Sequence, residues 1–444
     1  WMKAVTHAAK ECERLGLTLG ASSAAGCSGS GGPWITPELS MQEVVWRQKL
    51  IKGPVSGKIQ LPQPQTHHGY YQDIAILAFP TLPGDGVPVS ALHPRIQSDI
   101  AGLDWSAAVD GDDETFVTLP VPKAGELSRH VVFEFEKSVP VRSLSLQMHE
   151  DSKNRVVQLF TSDDGQKWVS AGTMRRWRSE VTPGREELIE GFQGRESRFV
   201  KIEFIAASSA VPMKLYELNF QSTRLDQIHT KAARMRTQPQ VSNFSQQKIH
   251  EMQQIALDKI VDLTDRMLPG GELQCDLPAG EWTILRIGHT SNGNEVKPAS
   301  EKSKGLEVDK MSAEALEYHF NNGMLGKMCD LLGPLTGKVF IDVNVDSWEA
   351  GCQTWTKKFP QEFAARRGYD SRKWLITLTG RIVGNLDTTE RFLWDYRRTV
   401  GDLLAANFYG KLQKLFNKRG IKLEAEAPGI GMPALMDQIQ CLGK

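Results

Sequence analysis

The chain has 444 residues, of which 40% are hydrophobic and 24% are charged, an ordinary composition for a globular protein with core enough for roughly two to three domains. Lysine plus arginine and aspartate plus glutamate are equal at 53 each, so no overall charge favours nucleic acid or an anionic membrane. No apolar run approaches the ~18–20 residues of a membrane span, and six cysteines without a CxxC pair argue against a zinc ribbon or a redox motif.

Residues 1–88 alternate between helical and strand patterns. An amphipathic helix ends at Gly16, a common residue at helix C-termini, and residues 73–80 have the apolar run of a buried strand. A glycine-rich stretch at 28–33 lacks GxGxxG and any following lysine, which argues against a phosphate loop, so we predict that it brings Trp34 to the rim of a pocket. Because the chain opens inside a helical pattern, we interpret this segment as the N-terminal part of a (β/α) barrel whose start is missing.

Residues 89–222 contain short alternating strand patterns at regular spacing, separated by turn residues, which predict an antiparallel β-sandwich. The passages 110–115 and 162–168 resemble discoidin-like domains (coagulation factor 5/8 type C, galactose-binding-like). Such modules often bind glycans, and some hold a structural calcium. The resemblance therefore implies the carboxylates of Asp110, Asp112 and Asp113 as candidate calcium ligands, and an ordinary aspartate-rich turn is the competing interpretation.

Residues 223–300 read as a polar connector followed by a β-rich segment, and from 301 to 444 helical and strand patterns alternate. The predicted order is a helix at 311–332 capped by Ser312, a strand at 339–345, helices at 359–367 and 388–419, and a strand at 421–426. This order is typical of a (β/α) barrel. The predicted fold class is therefore α/β plus β: a partial TIM (β/α)8 barrel, with its C-terminal part missing, into which the antiparallel β-sandwich is inserted.

A carboxylate-rich stretch, Asp346-Ser347-Trp348-Glu349, directly follows the strand at 339–345. In βα architectures catalytic groups lie where a strand ends, and two carboxylates beside an indole suit acid/base chemistry on a sugar. The pattern also allows Asp346 or Ser347 merely to cap the next helix. On the following strand two glutamates, at 424 and 426, are two residues apart and share one face, which favours the catalytic interpretation.

Asp395 lies among aromatic residues in the helix at 388–419. A role in a site competes there with an ion pair to Arg398 or Arg391 at helical spacing. No histidine spacing fits a metal site, and no GxSxG elbow indicates a serine hydrolase.

Several passages together resemble glycoside hydrolase family 106, the α-L-rhamnosidases. They cover most of the chain outside the predicted sandwich: 29–38, 262–264, 278–283, 305–310, 346–349, 355–356, 363–370 and the helix around Asp395. The resemblance implies an inverting glycosidase that releases terminal α-L-rhamnose from an oligosaccharide or polysaccharide. It also implies a calcium ion near the sugar hydroxyls, no organic cofactor, and a periplasmic or secreted location; it says nothing of oligomeric state.

By this resemblance Glu349 corresponds to the general acid, and Asp346 and Asp395 to supporting acidic residues. The nearby carboxylate of Asp346 would raise the pKa of Glu349 by repulsion, and Trp348 would exclude water. The family's general base is expected further along than this chain reaches, which puts the activity of the chain by itself in doubt.

Glu424 and Glu426 are then candidates for contacting the substrate or the calcium. Rhamnose carries a methyl group that favours an aromatic wall, for which Trp34, Trp348 and Trp355 are candidates. Two alternatives stay open: a carbohydrate-binding protein with a degenerate barrel, and a glycosidase for another sugar, such as a galactosidase-like enzyme.

Overall fold

The computed structural model describes residues 2–22, 30–112, 114–121, 128–149, 156–175, 185–205, 212–221, 253–296, 299–345 and 353–425. Within these ranges the helices are α1 (Met2–Leu15), α2 (Ala313–Asn322), α3 (Met324–Leu332), α4 (Phe359–Arg367), α5 (Leu386–Leu403) and α6 (Gly410–Asn417). The strands are β1 (Leu19–Ser22), β2 (Gly31–Gly32), β3 (Gln42–Gln60), β4 (Gln72–Pro80), β5 (Arg95–Ser98), β6 (Val117–Leu119), β7 (Ser128–His149), β8 (Val156–Ser162), β9 (Val169–Arg175), β10 (Arg185–Ile205), β11 (Met213–Gln221), β12 (Gln254–Ile255), β13 (Val261–Asp262), β14 (Glu272–Ser291), β15 (Leu306–Glu307), β16 (Phe340–Val345), β17 (Ile382–Val383) and β18 (Lys422–Ala425).

A parallel sheet carries the strand that precedes Asp346. In the described part of the chain its order is β1-β16-β18, and β16 pairs in parallel with both neighbours. Val343 and Val345 are buried in a core that includes residues of α2 to α6, and Leu423 and Ala425 of β18 pack against that core. One face of this sheet is therefore apolar and covered by helices.

A second, antiparallel sheet has the order β13-β4-β14-β3. Strands β3 and β14 pair along almost their whole length, from Gln42 opposite Ser291 to Gln60 opposite Glu272. Of the segment 1–88, interpreted from sequence as the start of a barrel, only β1 joins the parallel sheet. The long ladder with β14 holds β3 and β4 in the antiparallel sheet, because two strands of 19 and 20 residues satisfy each other's backbone groups.

Strands β5 to β11 form an antiparallel sheet within residues 95–221, inside the range predicted as a sandwich. Its order in the described residues is β6-β11-β7-β10-β8-β9, with β5 paired to β7. Strands β7 and β10 are 22 and 21 residues long, so they are much longer than the short strands that the sequence predicts for this range. Inward side chains such as Phe133 and Leu146 make a separate apolar core.

Two predicted helices are interrupted in the structure. The helix at 311–332 is capped by Ser312 as predicted, since its hydroxyl accepts the Ala315 N–H at 3.2 Å, but it divides at Gly323 into α2 and α3. The helix at 388–419 divides into α5, a π-helical turn at Leu404–Tyr409, and α6.

The described part of the chain is thus a mixed α/β fold that is rich in sheet. It contains no helix with the length and apolar character that crossing a membrane requires.

Candidate functional site

The uncovered face of the parallel sheet is polar. On β16, Asp342 and Asn344 alternate with the buried valines, so they lie on the face opposite the helices. In the sheet register Asn344 is paired with Ser22 of β1 and with Glu424 of β18, and Asp342 is paired with Lys422. We call these five residues the strand face.

Gly20 makes room for the Asp342 carboxylate. The two residues are paired across β1 and β16, and a Cβ placed on Gly20 would lie 2.1 Å from Asp342 Oδ1. A larger residue at position 20 would therefore displace this carboxylate. Glycine at position 20 therefore leaves the space that the Asp342 side chain occupies.

Asp342, Asn344 and Glu424 make no side-chain hydrogen bond or ion pair within the ranges that the structure describes. Asp342 and Asn344 are half-buried and Glu424 is exposed. Polar groups at such positions usually have partners in the protein, and parallel strands present functional groups at their carboxyl ends. The strand face is therefore the best-supported ligand-facing surface among the described residues.

The stretch Asp346-Ser347-Trp348-Glu349 and residue Glu426 lie outside the described residues. Val345, the last residue of β16, directly precedes Asp346 and pairs with Ala425, which directly precedes Glu426. The described residues of β16 and β18 thus lead, side by side, directly to Asp346 and to Glu426.

The next described residue after Val345 is Gln353. Residues 353–356 make several hydrogen bonds to other parts of the protein. The Gln353 side-chain amide donates to Asp309 and to the Trp355 carbonyl (2.9 Å), and its oxygen accepts the Lys310 N–H at 3.0 Å. The Thr356 hydroxyl donates to Asp309 Oδ2 at 2.7 Å. We call Asp309, Gln353 and Thr356 the anchor.

Thr354, which lies between Gln353 and Thr356, makes hydrogen bonds to strand β3 and helix α5. Its hydroxyl accepts the Val44 N–H at 2.8 Å, and its N–H donates to the Gln42 carbonyl at 3.0 Å. The Tyr396 hydroxyl of α5 donates to the Thr354 carbonyl. Strand β3, helix α5 and the loop after β15 therefore all fix this segment.

Asp309 is 4% exposed. Burial raises the pKa of its carboxyl to about 6, although hydrogen bonds from Thr356, Gln353 and the Met311 N–H, and the charge of Lys310, oppose this shift. Next to it, Lys310 and Glu307 form an ion pair at 2.7 Å in which both side chains are fully buried. Loss of either partner would leave a buried charge, which is costly.

Asp395 lies among helices and not on the strand face. Its carboxylate accepts a hydrogen bond from the Tyr369 hydroxyl at 2.9 Å, and burial and this carboxylate raise the pKa of Tyr369. Arg391 and Arg398, the partners considered from sequence, pair with aspartates four residues away. The described contacts therefore favour a role for Asp395 in joining α5 to the segment after α4.

The two described tryptophans of the predicted aromatic wall pack against other rings of the protein. Trp34 stacks on His319 of α2 and donates its indole N–H to His319 Nδ1 at 3.0 Å. Gly32 is needed beneath it, since a Cβ there would lie 2.6 Å from the indole and φ is +151°. Trp355 is 2% exposed and packs against Phe359, with ring centroids 4.9 Å apart. Trp355 is therefore a core residue, with no free face for a sugar; Trp348 lies outside the described residues.

The aspartates suggested as calcium ligands in the sandwich bind the turn itself. Asp110 Oδ1 accepts the Asp112 N–H at 2.9 Å, Asp110 Oδ2 accepts the Thr115 hydroxyl at 2.9 Å, and Asp112 Oδ1 accepts the Glu114 N–H at 3.0 Å. Asp113 is not described. Across the described residues no group of three or more histidine, cysteine or acidic side chains could hold a metal ion, so these contacts favour the aspartate-rich turn.

His289 is buried, with its Nδ1 3.1 Å from Gln42 Oε1. Burial, and to a lesser degree the charge of Lys357, lower its pKa to about 4, so the ring is neutral near pH 7. It is therefore a polar residue of the interior, whereas its isolated position in the sequence suggests a polar residue of the surface or of a pocket.

The fold and the strand face define part of a mixed α/β protein whose open polar groups gather at the carboxyl ends of parallel strands, as in βα-type enzymes. The chain belongs to glycoside hydrolase family 106: the family's model, described as alpha-L-rhamnosidase, matches residues 1–444. This confirms the resemblance found in the sequence.

Two known proteins are similar over nearly the whole chain. The solved structure of a rhamnosidase from Novosphingobium sp. PP1Y matches with a TM-score of 0.82 and 27% identity, covering 99% of this chain and 42% of that one. A protein of Formosa agariphila, provisionally named a beta-glucuronidase, is 29% identical over 426 residues, which are 96% of this chain and 25% of the relative. The chain thus spans less than half the length of either protein.

Sequence reasoning missed Asp342, Asn344 and the anchor. The alternation of Asp342 and Asn344 with valines in β16 was the available signal for a polar face. Asp309 and Gln353 carry no local signal, because their relation depends on contacts between residues 44 positions apart.

Proposed function

We propose that the protein carrying this chain is a glycoside hydrolase that releases terminal α-L-rhamnose from oligosaccharides or polysaccharides. The observation that carries the proposal is the strand face. Within a chain of family 106, it offers carboxylate and amide groups that have no partner among the described residues, on strands whose described residues lead directly to Asp346 and Glu426.

In this proposal Glu349 is the general acid, and Asp346, two residues closer to β16 than Trp348, raises its pKa by like-charge repulsion. Asn344 and Glu424 bind sugar hydroxyls from the strand face. An inverting mechanism also requires a base about 6.5–9.5 Å from the acid, so that a water fits between them. Asp395, held by Tyr369 among helices, is a weaker candidate for direct contact.

We further propose that the parallel sheet is one section of a (β/α)8 barrel. The support is that β1, β16 and β18 are parallel, that helices intervene along the chain between them, and that within the described residues these helices pack against one face of the sheet. An experimental structure of the full-length protein in which the outer edges of β1 and β18 pair with further parallel strands would bear this out. Antiparallel neighbours on those edges would exclude it.

Calcium and export remain proposals that follow from the family. Asn344 and Glu424 offer two neighbouring oxygen donors, fewer than the six to eight that calcium takes, so no chemical step is assigned to a metal. Loss of activity in a chelator, restored by calcium alone, would support the ion. Recovery of the native protein from the periplasm or the medium would support export.

The test of function is hydrolysis by the full-length protein of aryl α-L-rhamnoside, aryl β-glucuronide and aryl β-galactoside. We expect cleavage of the rhamnoside and a fall of about 10²–10⁴-fold in Glu349→Gln, because general acid catalysis contributes that much. Proton NMR of the first sugar anomer formed distinguishes inversion from retention.

The second substrate is included because the Formosa relative bears a glucuronidase name. Preferential cleavage of the glucuronide or galactoside would replace rhamnose in the proposal. Saturable glycan binding without hydrolysis, unchanged in Glu349→Gln, would favour the binding protein.

A further inference from the structure

We propose that Asp342 and Glu424 are specificity-determining residues, whose negative charges exclude sugars that carry a carboxylate from the strand face. The inference deepens the proposed function and rests on it. It names the class of sugar that the face rejects, a uronate, and the two side chains that reject it. Both residues belong to the described strands β16 and β18.

The charged side chains of β18 lie on the same side of the sheet as Asp342. Leu423 and Ala425 pack against the helical core. Lys422 and Glu424 alternate with them and are exposed. Because successive side chains of a strand point to opposite faces, both charged groups lie on the face away from the helices.

The charged groups of the strand face occupy an area close to that of one sugar ring. Asp342 is paired with Lys422, and Asn344 with Glu424, across the parallel strands β16 and β18. Neighbouring strands lie about 4.8 Å apart, and two residues along a strand span about 6.6 Å. A sugar that lies on this face is therefore near all three charged groups, whichever way its ring is turned.

Negative charge predominates among these groups. The two carboxylates of Asp342 and Glu424 are accompanied by one ammonium group, that of Lys422, and none of the three forms an ion pair among the described residues. Lys422 is paired with Asp342 and offsets part of its charge, whereas Glu424 is paired with the neutral Asn344. A bound uronate would thus meet net repulsion, and a neutral pyranose would not.

The expected size of this repulsion follows from Coulomb's law. Two unit charges about 7 Å apart change an equilibrium constant about threefold in bulk water. At an effective dielectric constant of about 20, which suits charges near a protein surface, the change is about fiftyfold. Each charged group of the strand face should therefore alter the affinity for an anionic sugar by about tenfold, which lies between these limits.

The competing explanation is that a uronate is excluded by its size. A carboxamide has nearly the shape of a carboxylate and no charge, so exclusion by size acts on both groups alike. Electrostatic exclusion acts on the carboxylate alone. A pair of ligands that differ only in this group therefore separates the two explanations.

The experiment measures competitive inhibition of aryl α-L-rhamnoside hydrolysis by the full-length enzyme. The two inhibitors are methyl glycosides with the configuration of α-L-rhamnose, in which the methyl group on C5 is replaced by a carboxylate or by a carboxamide. We expect a larger inhibition constant for the carboxylate in the wild type. Equal constants, or tighter binding of the carboxylate, would overturn the proposal. So would a carboxamide that does not inhibit, because exclusion would then follow from size.

Three variants that change one charge each test the assignment to residues. Asp342→Asn and Glu424→Gln should each lower the ratio of the carboxylate to the carboxamide inhibition constant by about tenfold, and Lys422→Met should raise it by about tenfold. Charges elsewhere in the site cancel, since every variant is compared with the wild type. An unchanged ratio in either carboxylate variant removes that residue from the proposal, and a lower ratio in Lys422→Met contradicts the electrostatic explanation as a whole.

The matched control is Asp276→Asn in β14 of the antiparallel sheet. Asp276 is exposed and, among the described residues, makes no side-chain hydrogen bond or ion pair. Its loss should leave the ratio as in the wild type, and a tenfold fall would show that the overall charge of the protein, not the strand face, sets the ratio. A wild type that does not cleave the rhamnoside refutes the proposed function. A wild type that cleaves it, with equal inhibition constants, refutes only the exclusion of uronates.

Discussion

The strand face and the anchor are both polar, but they treat their polar groups in opposite ways. In the anchor both carboxylate oxygens of Asp309 and both amide atoms of Gln353 are bonded within the protein. On the strand face, within the described residues, Asp342 and Glu424 have no such bonds. Hydrogen bonds that are complete inside the protein fix a shape, whereas groups left open can bind something from outside.

The difference indicates which charged side chains of the described residues are available to bind a ligand. Ion pairs such as Arg391–Asp387 are exposed on both sides, and pairs of this kind contribute little to stability. The buried pair Lys310–Glu307 is enclosed. Neither type offers a free group, whereas the carboxylates of Asp342 and Glu424 have no partner among the described residues.

The largest expected effect is on the strand face. On the proposal that the strand face as a whole binds the reacting sugar, Asp342→Asn should lower kcat/KM on aryl α-L-rhamnoside by about 10²-fold, because a carboxylate at such a contact contributes about 2–3 kcal/mol to the transition state. The Tm should change little, since Asp342 has no hydrogen-bond or ion-pair partner among the described residues. Calorimetry together with steady-state kinetics checks both; a large fall in Tm with normal activity would make Asp342 a structural residue.

Gly20→Ala should lower activity through its effect on Asp342, and this loss should be smaller than that of Asp342→Asn. The added Cβ would meet Asp342 Oδ1, and the carboxylate, as the end of a flexible side chain, can move away. We expect a loss of activity of about tenfold with a nearly normal Tm. In the double variant with Asp342→Asn the two losses should not add, because they act on one group; additive losses would contradict this link.

Thr356→Val should distinguish the anchor from the strand face in stability. Removing the hydroxyl that donates to the buried Asp309 should lower the free energy of unfolding by about 1 kcal/mol or somewhat more. Glu424→Gln, on the strand face, should leave it within about 0.5 kcal/mol of the wild type. Urea unfolding measures the free energy of unfolding of both variants. Equal values would contradict the expected difference between the anchor and the strand face.

A further effect is a dependence of stability on pH. The carboxyl of Asp309 has a pKa of about 6 in the folded protein, above its unfolded value of about 3.9. The folded state therefore holds this proton more tightly, and stability falls as the pH rises from about 4 to about 6. Asp309→Asn lacks this loss, so its Tm relative to the wild type should increase by a few degrees over that range; a difference that stays constant with pH contradicts the assignment.

Parts of the fold with strong local signals were predictable. Helix α4 has the predicted bounds because Pro360 suits its first turn and Gly368 adopts the left-handed conformation that ends it. Strand β16 was visible as an apolar run. Strand β3 was missed because Gly53, Pro54 and Gly57 read as a loop; the proline is tolerated since β3 is an edge strand with a bulge there.

The candidate site was predictable only in part. The position of Asp346 after a strand, and of Glu424 on the next parallel strand, followed from periodicity and order. Trp355 was a poor candidate because a single aromatic residue gives no sign of whether it faces a ligand or the core. The anchor could not be derived, since it joins the loop after β15 to the segment after Glu349 through side-chain contacts alone.

The order of strands in the parallel sheet has a consequence for folding. Leu19 of β1 pairs with Phe340 of β16, so these two strands are separated by most of the chain. The hairpins of the sheet formed by β5 to β11 join strands that are much closer in sequence. Contacts so distant in sequence form slowly, because closing a long loop costs entropy before any contact repays it. We therefore expect refolding in which the antiparallel sheet forms first and the face that carries Asp342 and Glu424 is assembled last.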